Sequence, residues 1–329
     1  MKLASLKAGG RDGELVVVNK SLTRAVRATG IAPTLQAALD SWSTTAPKLR
    51  ALAAMLENGG TGGSFELDVT VLASPLPRAY QFLDGSVYLH HMEKARKARG
   101  AAMPPNYKTD PLMYQGLSDH FDGPRDPMIC ADESLGLDYE PEVAVVLDDV
   151  PMGVGVEAAA RHIVLVMLLN DYTYRTLTQS ELPKGFGFLQ AKPTSSFSPV
   201  AVTPEELGAA WDGTKLSLPI LSSINGRQIG CANAGRDMFF TYPTLIAHAA
   251  RTRKLAAGTI LGAGAISNRD PATGHACLAE LRVDETSEHG EARTPFLRPG
   301  DVIRIDMVDE RGASVFGAIE QRIAAPHRT

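Results

Sequence analysis

What most limits the fold of this chain is its run of short β-rich segments with no helix regularly placed between them. Glu142 to Leu147, Leu216 to Ile224, Leu278 to Val283, Asp301 to Met307 and Val315 to Gln321 all read as strands. Turn signals separate them, such as Asn225-Gly226 and the Arg-Pro-Gly-Asp run at Arg298 to Asp301. Two or three helices intervene, with Val156 to Leu169 and Pro243 to Ala250 the clearest. Strand and helix do not alternate, and no glycine fingerprint follows a strand, which speaks against a Rossmann or P-loop fold. The expected class is α+β, with a mixed or antiparallel sheet as the bulk of the chain.

The first residues read differently. Met1 to Leu6 and Glu14 to Asn19 flank a turn at Gly9 to Gly13, a hairpin pattern. From Thr34 to Leu56 apolar residues recur at helical spacing, with Pro47 expected to mark a break or a new first turn. Asn58 to Ser64 is too rich in glycine for a packed element, and Ser74 to Pro77 closes a β-like stretch. A small β-rich N-terminal domain over residues 1–75 and a catalytic domain over 76–329 are the expected division.

Composition bounds the partners. With 21% charged and 44% hydrophobic residues the chain is of ordinary globular type. A net charge of -4 argues against nucleic acid, and the densest basic stretch, His90 to Arg99, is short and holds Glu93, so it reads as a helix lid or solvated face. The longest apolar run, Ile163 to Leu169, falls far below the ~20 residues needed to span a bilayer. Cys130, Cys231 and Cys277 are widely spaced, which fits reduced thiols better than disulfides. A cytoplasmic protein without membrane contact is expected.

Several residues could carry chemistry. Glu140 and Glu142 straddle Pro141 and point to the same side of a strand. If buried there they require protonation or a divalent cation, and otherwise they mark a solvated strand face. Asp171 and Arg175 follow what reads as an apolar helix and are neighbours if it continues, either at a site or as a surface ion pair. Asp84 with His91 seven residues on offers a ligand and a general base, or a turn aspartate and a structural histidine. Lys192 lies in a Gly/Ser-rich loop where a cation can stabilise developing negative charge. Glu280 interrupts an apolar strand and needs a partner if buried, for which a histidine is suited.

In order and spacing these pieces resemble the fumarylacetoacetate hydrolase family. The Asn225 to Arg227 turn, the Met238 to His248 run, the Gly258-Thr259 pair and the closing Arg-Pro-Gly-Asp-Val-Ile-Arg-Ile are similar too. The resemblance covers residues from about Pro75 onward, and the preceding segment resembles the small N-terminal domain of longer members. It implies the family's mixed β-sheet roll or sandwich, and Asp84, Glu140, Glu142 and Asp171 as ligands of one divalent cation. Oxygen donors suit Mg²⁺ or Ca²⁺, with Mn²⁺ chemically possible and no organic cofactor expected. It further implies His91 as the base that activates water, Glu280 as its orienting partner, and Arg175 with Lys192 on the substrate's keto oxygens. Tyr114, Thr259, Arg99 and Gln179 would contact substrate, and the protein would be a homodimer. Ser86 stands where the best-known members carry tyrosine, Thr178 stands in register with a family glutamine, and the Pro193 to Ser196 run is one residue short before Pro199. All three departures lie on the substrate side.

The activity implied is hydrolysis of a carbon–carbon bond in a small diketo acid. Fumarylacetoacetate, giving fumarate and acetoacetate in tyrosine breakdown, is the first expectation, and fumarylpyruvate or another acylpyruvate the close alternative. A hydratase of the 2-keto-4-pentenoate type or an oxaloacetate-type decarboxylase shares the acidic positions, but Asp84, His91 and Glu280 together favour hydrolysis. A carboxylate-lined binding protein without activity is the third reading.

Overall fold

The structure, a computed structural model, describes residues 1–60, 62–117 and 119–326. Its first third contains strands β1 (Lys2–Leu6), β2 (Glu14–Val18) and β3 (Arg24–Arg27), helices α1 (Leu35–Leu39) and α2 (Trp42–Glu57), strand β4 (Phe82–Gly85), helix α3 (Leu89–Ala98) and strand β5 (Met113–Gln115). The middle adds β6 (Pro141–Leu147), β7 (Ile163–Asn170), helix α4 (Arg175–Glu181), β8 (Ala201–Val202), β9 (Pro219–Ile224) and β10 (Arg227–Asn233). Then follow α5 (Tyr242–Ala249), β11 (Ile260–Gly262), α6 (Leu278–His289), β12 (Val302–Met307) and β13 (Ile319–Ala324).

The larger sheet runs in the order β3-β2-β1-β8-β7-β6-β11-β4-β5, with the short strand Phe65–Glu66 beyond β3. Its neighbours pair antiparallel except β11 with β4. A second sheet runs β10-β9-β12-β13 and ends on Met128–Ile129. The fold is therefore α+β with mixed sheets. The N-terminal hairpin forms with Lys2 opposite Val18 and Leu6 opposite Glu14, and β1 then pairs with β8, so its strands continue the large sheet.

Side chains on that sheet alternate between two cores, as the two-residue period of a strand requires. Val146, Leu165, Met167 and Leu169 pack with Leu35, Leu39 and Leu49 of the N-terminal helices. Val145, Leu147, Val166 and Leu168 face α5 and the second sheet, through Tyr242, Ile246, Ile303 and Ile305. Each fully buried aliphatic side chain contributes ~1.5–3 kcal/mol, so these two layers hold the central strands rigidly.

Three sequence expectations are corrected. The apolar run from Val156 to Leu169 is not a helix: only Val156–Ala159 makes a helical turn, and Ile163–Asn170 is β7, buried along its whole length. A strand covered on both faces reads as unbroken apolar sequence, which periodicity cannot distinguish from a buried helix. Conversely, the segment beginning at Leu278 is helix α6, and Glu280 lies in its first turn rather than on a strand. The Thr34 to Leu56 segment does break, but at Asp40–Ser41, while Pro47 lies inside α2.

Candidate active site

Strand register assembles the site. Asp84 on β4 lies beside Gly262 on β11, which lies opposite Ala144 on β6. Glu142 on β6 pairs with Leu169 on β7, and Asp171 follows the end of β7. On the other side Tyr114 of β5 lies opposite Asp84. One end of the sheet thus gathers side chains from five strands or their ends.

Asp84, Glu142 and Asp171 are all buried, and one carboxylate oxygen of each lies within 4.8 Å of the other two. The peptide N–H of Gly264 donates to Asp84 Oδ1 at 3.2 Å and to Glu142 Oε2 at 3.0 Å. Gly262 makes room for them: a Cβ there would stand 2.4 Å from Asp84 Oδ1 and 3.1 Å from Glu142 Oε2. Asp171 accepts from Ser195 Oγ at 2.8 Å, Tyr114 Oη at 2.6 Å and Lys192 Nζ at 2.6 Å.

Electrostatics mark this cluster as short of positive charge. Burial, with the Asp171 carboxylate adding to it, pushes Asp84 up to about 7. Burial and the charges of Asp84 and Asp171 push Glu142 well above the ordinary carboxylate range. Glu142 Oε1 is buried with no hydrogen-bond partner among the described residues. Three hard oxygen donors, one of them orphaned, fit a divalent cation of the Mg²⁺, Ca²⁺ or Mn²⁺ kind.

Glu140 has different surroundings. Its carboxylate takes Lys192 Nζ at 2.7 Å, Arg175 Nη2 at 2.8 Å and Thr173 Oγ1 at 3.2 Å. Burial opposes its ionisation, but Lys192, Arg175 and His91 outweigh that and hold it below the usual range. Burial likewise opposes charge on Lys192, yet Asp171 and Glu140 keep it raised and protonated. The structure therefore turns Glu140 toward the cations, while the other three expected ligands face one another.

His91, on the first turn of α3, places Nδ1 2.8 Å from Glu280 Oε1. The second Glu280 oxygen accepts the Ala276 N–H at 3.1 Å. Burial would raise the Glu280 carboxyl, but the hydrogen bond and charge of His91 hold it down at about 2. When the ring is neutral and Nδ1 donates to that carboxylate, the lone pair is on Nε2, which lies 3.7 Å from Glu140 Oε1 and too far to be bonded to it.

A cavity of about 300 Å³ opens onto Asp84, Tyr114, Glu140, His91, Arg175 and Lys192. Arg99 is on its wall, as are Phe188 and Thr178. Gln179 lines an adjoining cavity instead. Thr259 reaches neither: it precedes β11 at the end remote from Gly262, and its hydroxyl donates to the Ala256 carbonyl at 2.8 Å.

Several site residues carry no label in the sequence. Asp138 is fully buried and accepts from the N–H groups of Tyr139, Leu278 and Ala279 and from Arg175 Nε. The alternation Asp138, Glu140, Glu142 is its one sequence signal. Ser195, Gly262 and Gly264 give none, since their roles depend on which strands pair.

Comparison with known proteins follows this geometry. Residues 81–324 match the family described as fumarylacetoacetate (FAA) hydrolase, C-terminal, and residues 1–78 match fumarylacetoacetase N-terminal domain 2. A 2,4-didehydro-3-deoxy-L-rhamnonate hydrolase from Sphingomonas sp. (strain SKA58) is 24% identical over 200 residues, 60% of this chain and 61% of that protein. The chain thus spans less than two thirds of that relative's length. Maleylpyruvate hydrolase from Sphingobium sp. SYK-6, solved in complex with manganese(II) ion and pyruvate, superposes with a TM-score of 0.65 at 17% identity, covering 99% of this chain and 100% of the other. The 2-hydroxyhepta-2,4-diene-1,7-dioate isomerase from Mycobacterium marinum gives a TM-score of 0.62 at 15% identity, with both chains covered in full. At such identities the superpositions speak to the fold alone. No helix among the described residues is long and apolar enough to cross a membrane. With residues 81–324 matched, the chain belongs to the fumarylacetoacetate hydrolase family.

Proposed function

We propose that this protein is a divalent-cation-dependent hydrolase that cleaves the carbon–carbon bond between the two carbonyls of a diketo acid. The observation that carries this reading is the His91–Glu280 pair, whose imidazole lines the same cavity as Asp84 of the buried Asp84, Glu142 and Asp171 cluster. A bound cation would be held by those three carboxylates and would supply Lewis-acid polarisation of the substrate's keto oxygens.

His91 Nε2 accepts a proton from water, and Glu280 stabilises the imidazolium that results. The water oxygen bonds to the distal carbonyl carbon. When the carbon–carbon bond breaks, its electron pair passes to the carbon beside the remaining keto group as an enolate. Return of the proton to that carbon gives a methyl ketone, so an acylpyruvate plus water yields a carboxylic acid and pyruvate. Lys192 and Arg175 offset charge as it builds on oxygen.

Acylpyruvates such as fumarylpyruvate are the first substrates to test. The departures at Ser86, Thr178 and Pro193 to Ser196 lie on the substrate side, and a pyruvate complex is named for the maleylpyruvate hydrolase relative. Fumarylacetoacetate, and with it tyrosine breakdown, is the next candidate. The proposal includes a homodimer in the cytoplasm, supported by the family resemblance and by three unpaired cysteines. A spectrophotometric screen of diketo acids with Mg²⁺, Mn²⁺ and Ca²⁺, run beside His91→Gln, tests the chemistry. Turnover with a carboxylic acid as product, lost by about 10²–10⁴-fold in the variant, is the expected result. Isomerised or decarboxylated product without hydrolysis, or an unchanged rate in the variant, overturns it.

A further inference from the structure

A second cavity of about 350 Å³ lies between α3, α4 and α6, and shares Ala95, Arg99, Arg175 and Thr178 with the wall of the first. Its charged walls are Lys97, Arg99, Arg175 and Arg282, with no carboxylate among the described lining residues. Thr176, Gln179, Thr286 and Ser287 add neutral hydrogen-bonding groups. In a chain of net charge -4, four cations line this one cavity with no acid among the described lining residues, a local excess of positive charge at its surface.

Two of the four are already engaged, Arg175 with Asp138 and Glu140, and Lys97 with Ser287 Oγ at 2.9 Å. The other two make no ion pair among the described residues, and only longer-range attraction reaches them, from Glu140 at Arg99 and from Glu285 at Arg282. Arg99 has no acidic partner among the described residues, and burial together with the like charges of Arg96 and Arg175 depresses its basicity. Arg282 stacks its guanidinium 4.4 Å over the Phe296 ring and donates Nη1 to the Thr294 carbonyl, again with no ion pair. Stacking fixes the fork of donors, so less side-chain freedom is lost when an anion arrives.

We propose that this outer cavity is an anion subsite, in which Arg282 and Arg99 receive a second carboxylate at the far end of the substrate. The inference rests on the hydrolase reading and narrows its substrate class to diketo acids carrying two acid groups. Arg282 is then a specificity residue outside the reacting cavity.

Two measurements on the Mn²⁺-loaded protein test it. In the first, kcat/KM is compared for fumarylpyruvate and for acetylpyruvate, which lacks the second acid, in wild type, Arg282→Gln and Arg99→Gln. The expected result is a loss at least about tenfold greater for fumarylpyruvate than for acetylpyruvate in both variants, carried mainly by KM. Equal losses for the two substrates, or none, overturn the subsite. In the second, calorimetry compares binding of 2-oxoglutarate with 2-oxobutyrate, which requires no turnover. Tighter binding of the dianion, abolished by Arg282→Gln, upholds the subsite even if no diketo acid is cleaved, in which case the hydrolase reading alone fails. Equal binding of the two by wild type overturns the subsite. An unchanged thermal midpoint in each variant separates these outcomes from misfolding.

Discussion

His91 and Glu280 stand 189 residues apart in the chain and meet through an Nδ1···Oε1 contact of 2.8 Å. Each starts a helix, α3 and α6, whose later residues are tied by Lys94 to Asp284 at 2.6 Å and by Lys97 to Ser287. The imidazole is thus fixed at both its ring nitrogen and its backbone, and Nε2 faces the cavity without rotating. Glu280→Gln should leave the fold intact and lower kcat by about 10- to 100-fold, because the amide keeps a hydrogen bond but not the charge that stabilises the imidazolium. An unaltered kcat would remove Glu280 from the mechanism.

The same pair sets a pH dependence of stability. The Glu280 carboxyl is held at about 2 when folded, below its ordinary 4.5, so its contribution is full above that ordinary value and disappears as pH falls toward 2. Its size is on the order of 3 kcal/mol at most. Denaturant unfolding of wild type and Glu280→Gln at a series of pH values checks this. The gap between the two proteins should narrow between about pH 5 and pH 2. A gap constant over that range counts against the assignment.

How much of this was legible in the sequence depends on the kind of information each residue carries. Asp84, Glu142, Asp171 and His91 could be named because their order along the chain resembles the fumarylacetoacetate hydrolase family, while each motif alone also admits a structural reading. The strand at Ile163–Asn170 could not, since a segment buried on both faces loses the alternation that identifies a strand. The helix at Leu278 was hidden for another reason: its N-terminal N–H groups are capped by Asp138, 140 residues earlier in the chain, and not by a neighbouring Ser or Thr. Glu140 is expected among the ligands because the family resemblance implies it. Its contacts with Lys192 and Arg175 follow from tertiary placement that spacing does not encode.

Asp84→Asn should separate stability from function. Without a cation, Asp84 is raised to about 7, so the folded state loses stability as pH climbs from the ordinary carboxylate range through 7. Removing that charge should make the metal-free variant more stable than metal-free wild type at pH 8, by roughly 1–3 kcal/mol. Wild type should in turn gain about 2.7 kcal/mol when Mn²⁺ reaches a hundred times its Kd, and the variant should gain little. Thermal melts with and without Mn²⁺ give both numbers, and an equal Mn²⁺ response in the two proteins would exclude Asp84 as a ligand.

Gly262→Ala probes the close approach of backbone to carboxylates. The added Cβ would sit 2.4 Å from Asp84 Oδ1, so that oxygen must move, while β11 keeps its pairing with both neighbours. We expect Mn²⁺ affinity to fall at least about tenfold, as it does when groups that orient ligands are displaced. Far-UV circular dichroism should stay unchanged. Titration calorimetry reads the affinity, and wild-type binding would mean that the cation sits elsewhere.

Asp138→Asn tests whether one buried carboxylate organises both sides of the site. Oδ1 accepts from the Tyr139 and Leu278 N–H groups, and Oδ2 from the Ala279 N–H and Arg175 Nε. An asparagine amide offers one acceptor oxygen, so its NH₂ must face either the Ala279 and Arg175 donors or the Tyr139 and Leu278 N–H groups. Two donors meeting in a buried site cannot both be satisfied, and the Arg175 charge loses one of its two carboxylates. The expected cost is about 3 kcal/mol in global stability, with faster amide exchange in the first turn of α6. Because Glu280 lies in that turn, kcat should fall as well. A variant with normal exchange at Leu278 to Glu280 and normal kcat would show that Arg175 and α6 hold their places without Asp138.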